Sequence, residues 1–372
     1  MANIPTEVVE SCILPRLPVK TLIRFKCVSN SWKTLISSSE FCRLHYRHAN
    51  RLLVTSVDGD TLLEVHNLDS PLDPPFLCPY PDLEQLSRFR EVTTILASCE
   101  FFVLVGYLAP HRVERLFLVN PSTLSYQGII VQRGFNRGYV KYGLYFDEAN
   151  DDCKVVRISD FDLRNDQYSW KIEIYSSKIN KWRLIEDKLI VSSPFDRMEY
   201  FNSVACLNNL VYLITDPYVE QRIHCFDIQA ERWRNDIVYP HEILYLEICV
   251  LNGSLCVLGI DTSNDEDLCT ETYSVWVFNE SDSFKETWVK LMSIVAKNCG
   301  VVSEYHPIAY RKGSQHELLC QRHYGGWELF CYDLKHKVAT KPEEFNVVAR
   351  HNSHYHLCKE SLITFHGRLF GA

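Results

Sequence analysis

At 372 residues, with 46% hydrophobic and 12% aromatic residues, the chain exceeds one ordinary domain and holds ample material for an extended core, which excludes a disordered protein. The net charge of -8 hides a split: residues 1–50 carry 7 Lys/Arg against 3 Asp/Glu, and residues 51–372 carry 32 against 44. An acidic body lacks the cations that neutralise phosphates, so general nucleic-acid binding is excluded, whereas a small basic head suits an acidic protein partner.

Fifteen cysteines, an odd number with no CxxC spacing, follow an N-terminus, MANIPTEVVE, that lacks the charge pattern of a secretory signal. Reduced thiols in cytosol or nucleus are the expectation, and the sequons at Asn252 and Asn279 are then unused. The longest apolar stretch, Ile95 to Ala109, is interrupted by Glu100 and falls short of the roughly 20 residues that cross a bilayer, so no membrane span is expected.

In chain order, Val8, Val9, Cys12 and Ile13 recur at helical spacing after Ile4-Pro5, with Glu7 in the first turn, and predict a short amphipathic helix from Thr6 to Ile13. Pro18 is suited to open a second helix, whose stripe is Val19, Leu22 and Phe25. In a third, Val28, Trp32, Leu35 and Ile36 fall at i, i+4, i+7 and i+8, with Ser29 or Asn30 as the cap. Three such short helices are marginal alone, so they either cap the downstream domain or dock on a partner.

Ile4-Pro5, Ile13-Leu14, the block Arg16 to Lys20, Arg24 to Val28, Ser31-Trp32 and Leu35-Ile36 together resemble the F-box, a helical motif that docks on the Skp adaptor of SCF-type ubiquitin ligases. The resemblance covers Ile4 to Phe41. It implies that Pro5, Leu14, Leu17, Pro18, Val19 and Leu22 meet the adaptor, while Trp32 and Ile36 hold the motif's own helices together. Ile4 stands where the family often has Leu. Pro15 replaces a non-proline residue and is expected to end the first helix early.

Beyond residue 50, apolar β-formers come in runs bounded by Asn, Asp, Gly and Pro: Leu52 to Thr55, Phe101 to Val105, Val155 to Ile158, Leu210 to Ile214, Leu255 to Ile260 and Leu318 to Cys320. An apolar residue entering a polar turn, followed in several copies seven residues later by an aromatic, recurs six times. The copies start at Val65, Val119, Tyr175, Phe226, Phe278 (with Trp288 displaced to the tenth place) and Tyr332. A period near 50 predicts a repeat array of four-stranded units, a six-bladed kelch-like β-propeller, against the alternative of an evenly spaced antiparallel sandwich. The closing SLITFHGRLF from Ser361 is expected to pair back into the first blade.

VNPST, YGLYFDEANDDCKVVRI, IEIYSSKINKWR, IHCFDIQAERWR, VWVFNESDSFKETWVKL and ESLITF, in this order, are similar to plant F-box-associated domains and to the S-locus F-box and F-box/kelch groups. Cys153 replaces the family's aromatic, and Leu207-Asn208-Asn209 lacks its turn glycine.

Chemistry is sparse. His354, His356 and Cys358 would share a strand face, with His351 nearby, but alternating His and Cys more often mark a half-buried surface than zinc. The loop from Asp261 lacks the glycine and ligand spacing of a calcium site, and no nucleophile, zinc-hydrolase or nucleotide signature occurs. No catalytic, cofactor-binding or metal residues are therefore named.

The resemblance thus implies an F-box at residues 1–48 and a target-binding β domain at 49–372. Such a chain is a non-catalytic subunit that joins a protein target to the Skp-type adaptor and, through it, to cullin, without cofactor, nucleic acid or membrane. The loops Arg133 to Arg137, Pro194 to Glu199 and Asp261 to Glu271 are candidates for the recognition face; the target is unknown. The competing readings are an F-box protein that sequesters a client without ubiquitin transfer, and a propeller enzyme with a helical cap.

Overall fold

A computed structural model of the chain describes residues 4–57, 62–79, 92–109, 112–131, 140–163, 167–186, 189–191, 204–214, 222–240, 243–261, 270–280, 286–297, 304–323, 327–342, 354–365 and 367–368. These form two compact units, one of residues 1–131 with 353–372 and one of residues 132–352.

The first unit opens on short helices. Pro5 caps a turn of α-helix at Thr6–Val8, which continues as a π-helical turn at Val9–Ile13 and a 3₁₀ turn at Leu14–Arg16. Pro15 supplies the reason: it has no N–H for the α-helical ladder, and the chain widens just before it and tightens around it. The expected helix therefore has the expected span and a different geometry. Pro18 caps a helix at Val19–Phe25, and the Ser29 hydroxyl accepts from Trp32 N–H to cap one at Asn30–Ile36. A fourth helix, Ser39–Tyr46, lies beyond the three expected; Ser38 Oγ accepts from Phe41 N–H, and Phe41 and His45 are its buried i, i+4 pair.

Six antiparallel sheets follow. Two lie in the first unit. The first sheet has the order Tyr355–Lys359, Arg51–Ser56, Leu62–Asn67, Phe76–Pro79; the second runs Val92–Ser98, Val103–Ala109, Arg112–Asn120, Ser125–Ile129, with Gly367–Arg368 added to its outer edge. They share one core, in which Leu52, Val54, Val65 and Cys358 pack on Val103, Val105, Phe117 and Val119. The second unit holds four sheets, whose first three strands are Val140–Asp147, Asp152–Leu163, Gln167–Ser176; Val204–Leu207, Leu210–Ile214, Arg222–Asp227; Ile243–Leu251, Ser254–Asp261, Thr270–Glu280; and Glu304–Tyr310, Glu317–His323, Trp327–Asp333. Each ends on an outer strand, at Lys181–Leu184, Arg232–Trp233, Glu286–Lys297 and Val338–Thr340. Six meanders of four or five strands are the blade count and blade construction of a six-bladed β-propeller.

All six apolar runs picked out of the sequence lie in the second strand of their sheets or just ahead of it. These strands have a neighbour on each side and are buried on both faces, which removes the polar alternation an outer strand shows. The recurring turn joins the third strand to the fourth. Val119 is registered with Tyr126, Tyr175 with Trp182, Phe226 with Trp233 and Phe278 with Trp288, so the repeated aromatic is the cross-strand partner of the apolar residue. The polar residue after it caps the turn: the side chains of Asn120, Asp227 and Asp333 accept backbone N–H groups two or three residues on. Asn208 and Asn209 both take a positive φ, as Asn252-Gly253 do in the corresponding turn of the next sheet, so asparagine fills the place of the missing glycine.

The tail departs from expectation. The strand that completes the first sheet is Tyr355–Lys359, paired to Arg51 through Thr55, and not the segment from Ser361. That later segment is held by side chains of the second sheet before Gly367–Arg368 pairs with Tyr126 and Ser125.

Candidate docking surface

The helices bury one stripe and expose another. Leu14, Val19 and Leu22, at 1%, 0% and 0% exposure, pack with Ile36, Phe41 and Leu362 into a core that Val9, Leu17, Phe25, Trp32 and Leu35 border. Phe25 and Trp32 stack at 5.3 Å between centroids. Leu17 lies in the extended link before Pro18, where its carbonyl accepts from His45 Nε2 at 3.1 Å. Burial lowers the His45 pKa, this bond raises it in part, and His48 lowers it again, which leaves the imidazole neutral near pH 7.

Of the six side chains assigned to a partner by the F-box resemblance, the structure thus brings Leu14, Val19 and Leu22 together in the interior, leaves Pro5 and Pro18 exposed, and holds Leu17 half-buried. Also exposed in this segment are Ile4, at 61%, Val8, Ile13, Ile23 and Val28, at 65%. Five exposed aliphatic side chains within twenty-five residues are more than scattered surface apolarity, and they make this segment a candidate contact surface. The helical spacing of Val8, Val9, Cys12 and Ile13 implies one shared apolar face, yet Val8, Cys12 and Ile13 are exposed; the π-helical turn at Val9–Ile13 changes the angular spacing that would align them. Ile23 carried no readable signal, because it stands four residues after the buried Val19 and so shares that side of the helix, and only the structure shows it exposed. Arg16, Lys20, Arg24 and Lys33 are exposed on the same helical segment, as is Glu7, so its exposed charge is mainly cationic.

Among the described residues no group of three or more His, Cys, Asp or Glu is placed to hold a metal ion. His354 and His356 stack at 6.3 Å, burial lowers the His356 pKa to about 4, and Cys358 belongs to the apolar core between the first two sheets; His351 lies outside the described residues. The loops 133–137, 194–199 and 262–269 also lie outside them. Asp261, at the head of the third loop, is buried and pairs with Lys290 Nζ at 2.5 Å, with Ser274 Oγ donating to it.

A module of short helices that exposes apolar and cationic side chains, followed by six propeller-type sheets, defines a two-part protein. The F-box domain family matches residues 3–44, and the F-box associated beta propeller domain matches residues 82–325. The chain belongs to the F-box proteins that carry this propeller domain. Among Arabidopsis thaliana proteins it is similar to F-box protein At4g22390, at 28% identity over 79% of this chain and 74% of that one. F-box protein CPR1 shares 26% identity over 91% and 83% of the two chains, and the putative F-box/kelch-repeat protein At1g13200 shares 25% over 80% and 73%.

Proposed function

We propose that this chain is the target-recognition subunit of an SCF-type cullin-RING ubiquitin ligase. Its helices bind a Skp-type adaptor and, through it, cullin, while the β domain holds a protein target. The observation that carries the reading is the division of the helical module, whose inner stripe is already satisfied within the chain while Ile4, Pro5, Val8, Pro18, Ile23 and Val28 remain outside. Apolar side chains of that kind gain about 25 cal/mol per Å² when a partner covers them. The exposed Arg16, Lys20, Arg24 and Lys33 favour an acidic adaptor surface and speed encounter.

In this reading the chain does no bond chemistry. By holding a target and an adaptor-bound ligase together it raises the local concentration of target lysines near a charged ubiquitin-conjugating enzyme. Such a complex works in the cytoplasm or nucleus.

The test is reconstitution of the full chain with a Skp-type adaptor, cullin and RING subunits. Expected is a stable four-part complex and, in cells, client turnover that stops when cullin is inactivated. Adaptor binding with client turnover indifferent to cullin would replace this reading by sequestration.

A further inference from the structure

The two fragments VNPST and ESLITF stand at distant points of the chain, and in the structure they are bonded to one another. Asn120, fully buried, donates through Nδ2 to the carbonyls of Ser361 at 3.1 Å and Ile363 at 2.8 Å. Ser361 N–H donates to Ser122 Oγ at 3.2 Å, and Phe365 N–H to Ser125 Oγ at 3.1 Å. A carboxamide has two N–H groups, and both are spent here on fixing the tail to the second sheet.

The same tail reaches the helices. Leu362, at 5% exposure, is the one non-helical residue among the six buried side chains of the helical core. Glu360 accepts from Asn50 Nδ2 at 3.0 Å and from Val19 N–H at the start of the second helix, while its own N–H donates to the Asn50 carbonyl at 2.9 Å. Lys359 Nζ lies 4.2 Å from the centre of the Tyr46 ring in the last helix and 3.1 Å from its hydroxyl; Tyr46 packs edge-on against Phe101, which precedes the second strand of the second sheet.

We infer that residues Lys359–Phe365 are a brace that completes the helical docking module and holds it against the first two sheets. Short helices that bury a single stripe need an external apolar contribution, and Leu362 supplies it from the far end of the chain. Asn120 acts at one remove, as a positioning residue for the brace. Resting on the ligase reading for its consequence alone, the brace makes the module a fixed mount, so that a target held on these sheets keeps one direction relative to the adaptor.

The test uses amide hydrogen exchange on the full chain, comparing wild type with Leu362→Ala and Asn120→Ala. Both variants are expected to speed exchange in Val19–Phe25 and Asn30–Ile36 by about tenfold or more, while the strands of residues 140–340 keep wild-type protection. Leu362→Met, which retains the apolar volume, should restore most of the protection and serves if Leu362→Ala does not fold. Helical exchange unchanged in Asn120→Ala and Leu362→Ala, with faster exchange confined to the tail, would overturn the brace. The readout needs no adaptor, so failure of wild type to bind one would overturn the docking reading and leave this inference standing.

Discussion

Phe226 and Trp233 lie directly opposite one another in the last hairpin of the fourth sheet, their ring centroids 5.2 Å apart at an interplanar angle of 69°. Trp170 of the third sheet is 6.3 Å from the same indole, so the pair also joins two sheets. Phe226 is fully buried, and Phe226→Ala is expected to destabilise the protein by about 3–5 kcal/mol. Urea unfolding followed by tryptophan fluorescence measures this as a fall in midpoint.

Neighbouring positions on one helix should separate folding from docking. Leu22→Ala removes a fully buried side chain and should cost about 2–5 kcal/mol of stability. Ile23→Ala, at an exposed position, should change stability by no more than about 0.5 kcal/mol and weaken adaptor binding instead. Thermal unfolding and calorimetric titration with the adaptor, run on both variants, read the two effects.

Lys337 takes a positive φ of 56° at an exposed turn position, where a lysine side chain is strained. Asn180 stands at the matching place in the third sheet with φ of 57°, and its side-chain Oδ1 accepts from Tyr175 OH at 2.7 Å. Lys337→Asn is expected to stabilise by about 0.5–1 kcal/mol, visible as a raised unfolding midpoint.

Acid should weaken the first unit through its histidines. Burial lowers the pKa of His356 to about 4 and also lowers that of His45, so each binds a proton more readily when unfolded. Their contribution is therefore complete above the ordinary histidine value near 6.5 and is lost as pH falls from there towards about 4. Glu360 runs the other way: burial raises its pKa despite bonds from Asn50 and Val19, so its contribution is present at low pH and lost as pH rises through the raised value. Stability measured from pH 7 to pH 4 should fall, with a share on the order of 2 kcal/mol absent in His356→Gln.

The sheets were legible because burial leaves a mark along the chain. Leu210 to Ile214 reads as a continuous apolar run because it is central in its sheet, and Phe226 to Trp233 reads as a repeat because register fixes the spacing of a cross-strand pair. The tail left no such mark, since the carbonyls of Ser361 and Ile363 are satisfied by one distant side chain and not by a ladder. The helical stripe was equally visible, yet an apolar stripe does not say what covers it: for Leu14, Val19 and Leu22 the cover includes Leu362. The side on which Val8 and Ile13 lie was not legible, because a π-helical turn at Val9–Ile13 breaks the period that relates them.

The measurement closest to the central claim is calorimetric titration of the purified full chain with a Skp-type adaptor, for wild type and for a Leu17→Asp/Pro18→Ala double variant. The account predicts saturable binding by wild type and its loss in the double variant, whose β-sheet circular dichroism stays unchanged. Absence of binding by the folded wild-type chain would contradict it and return the helices to the role of a structural cap.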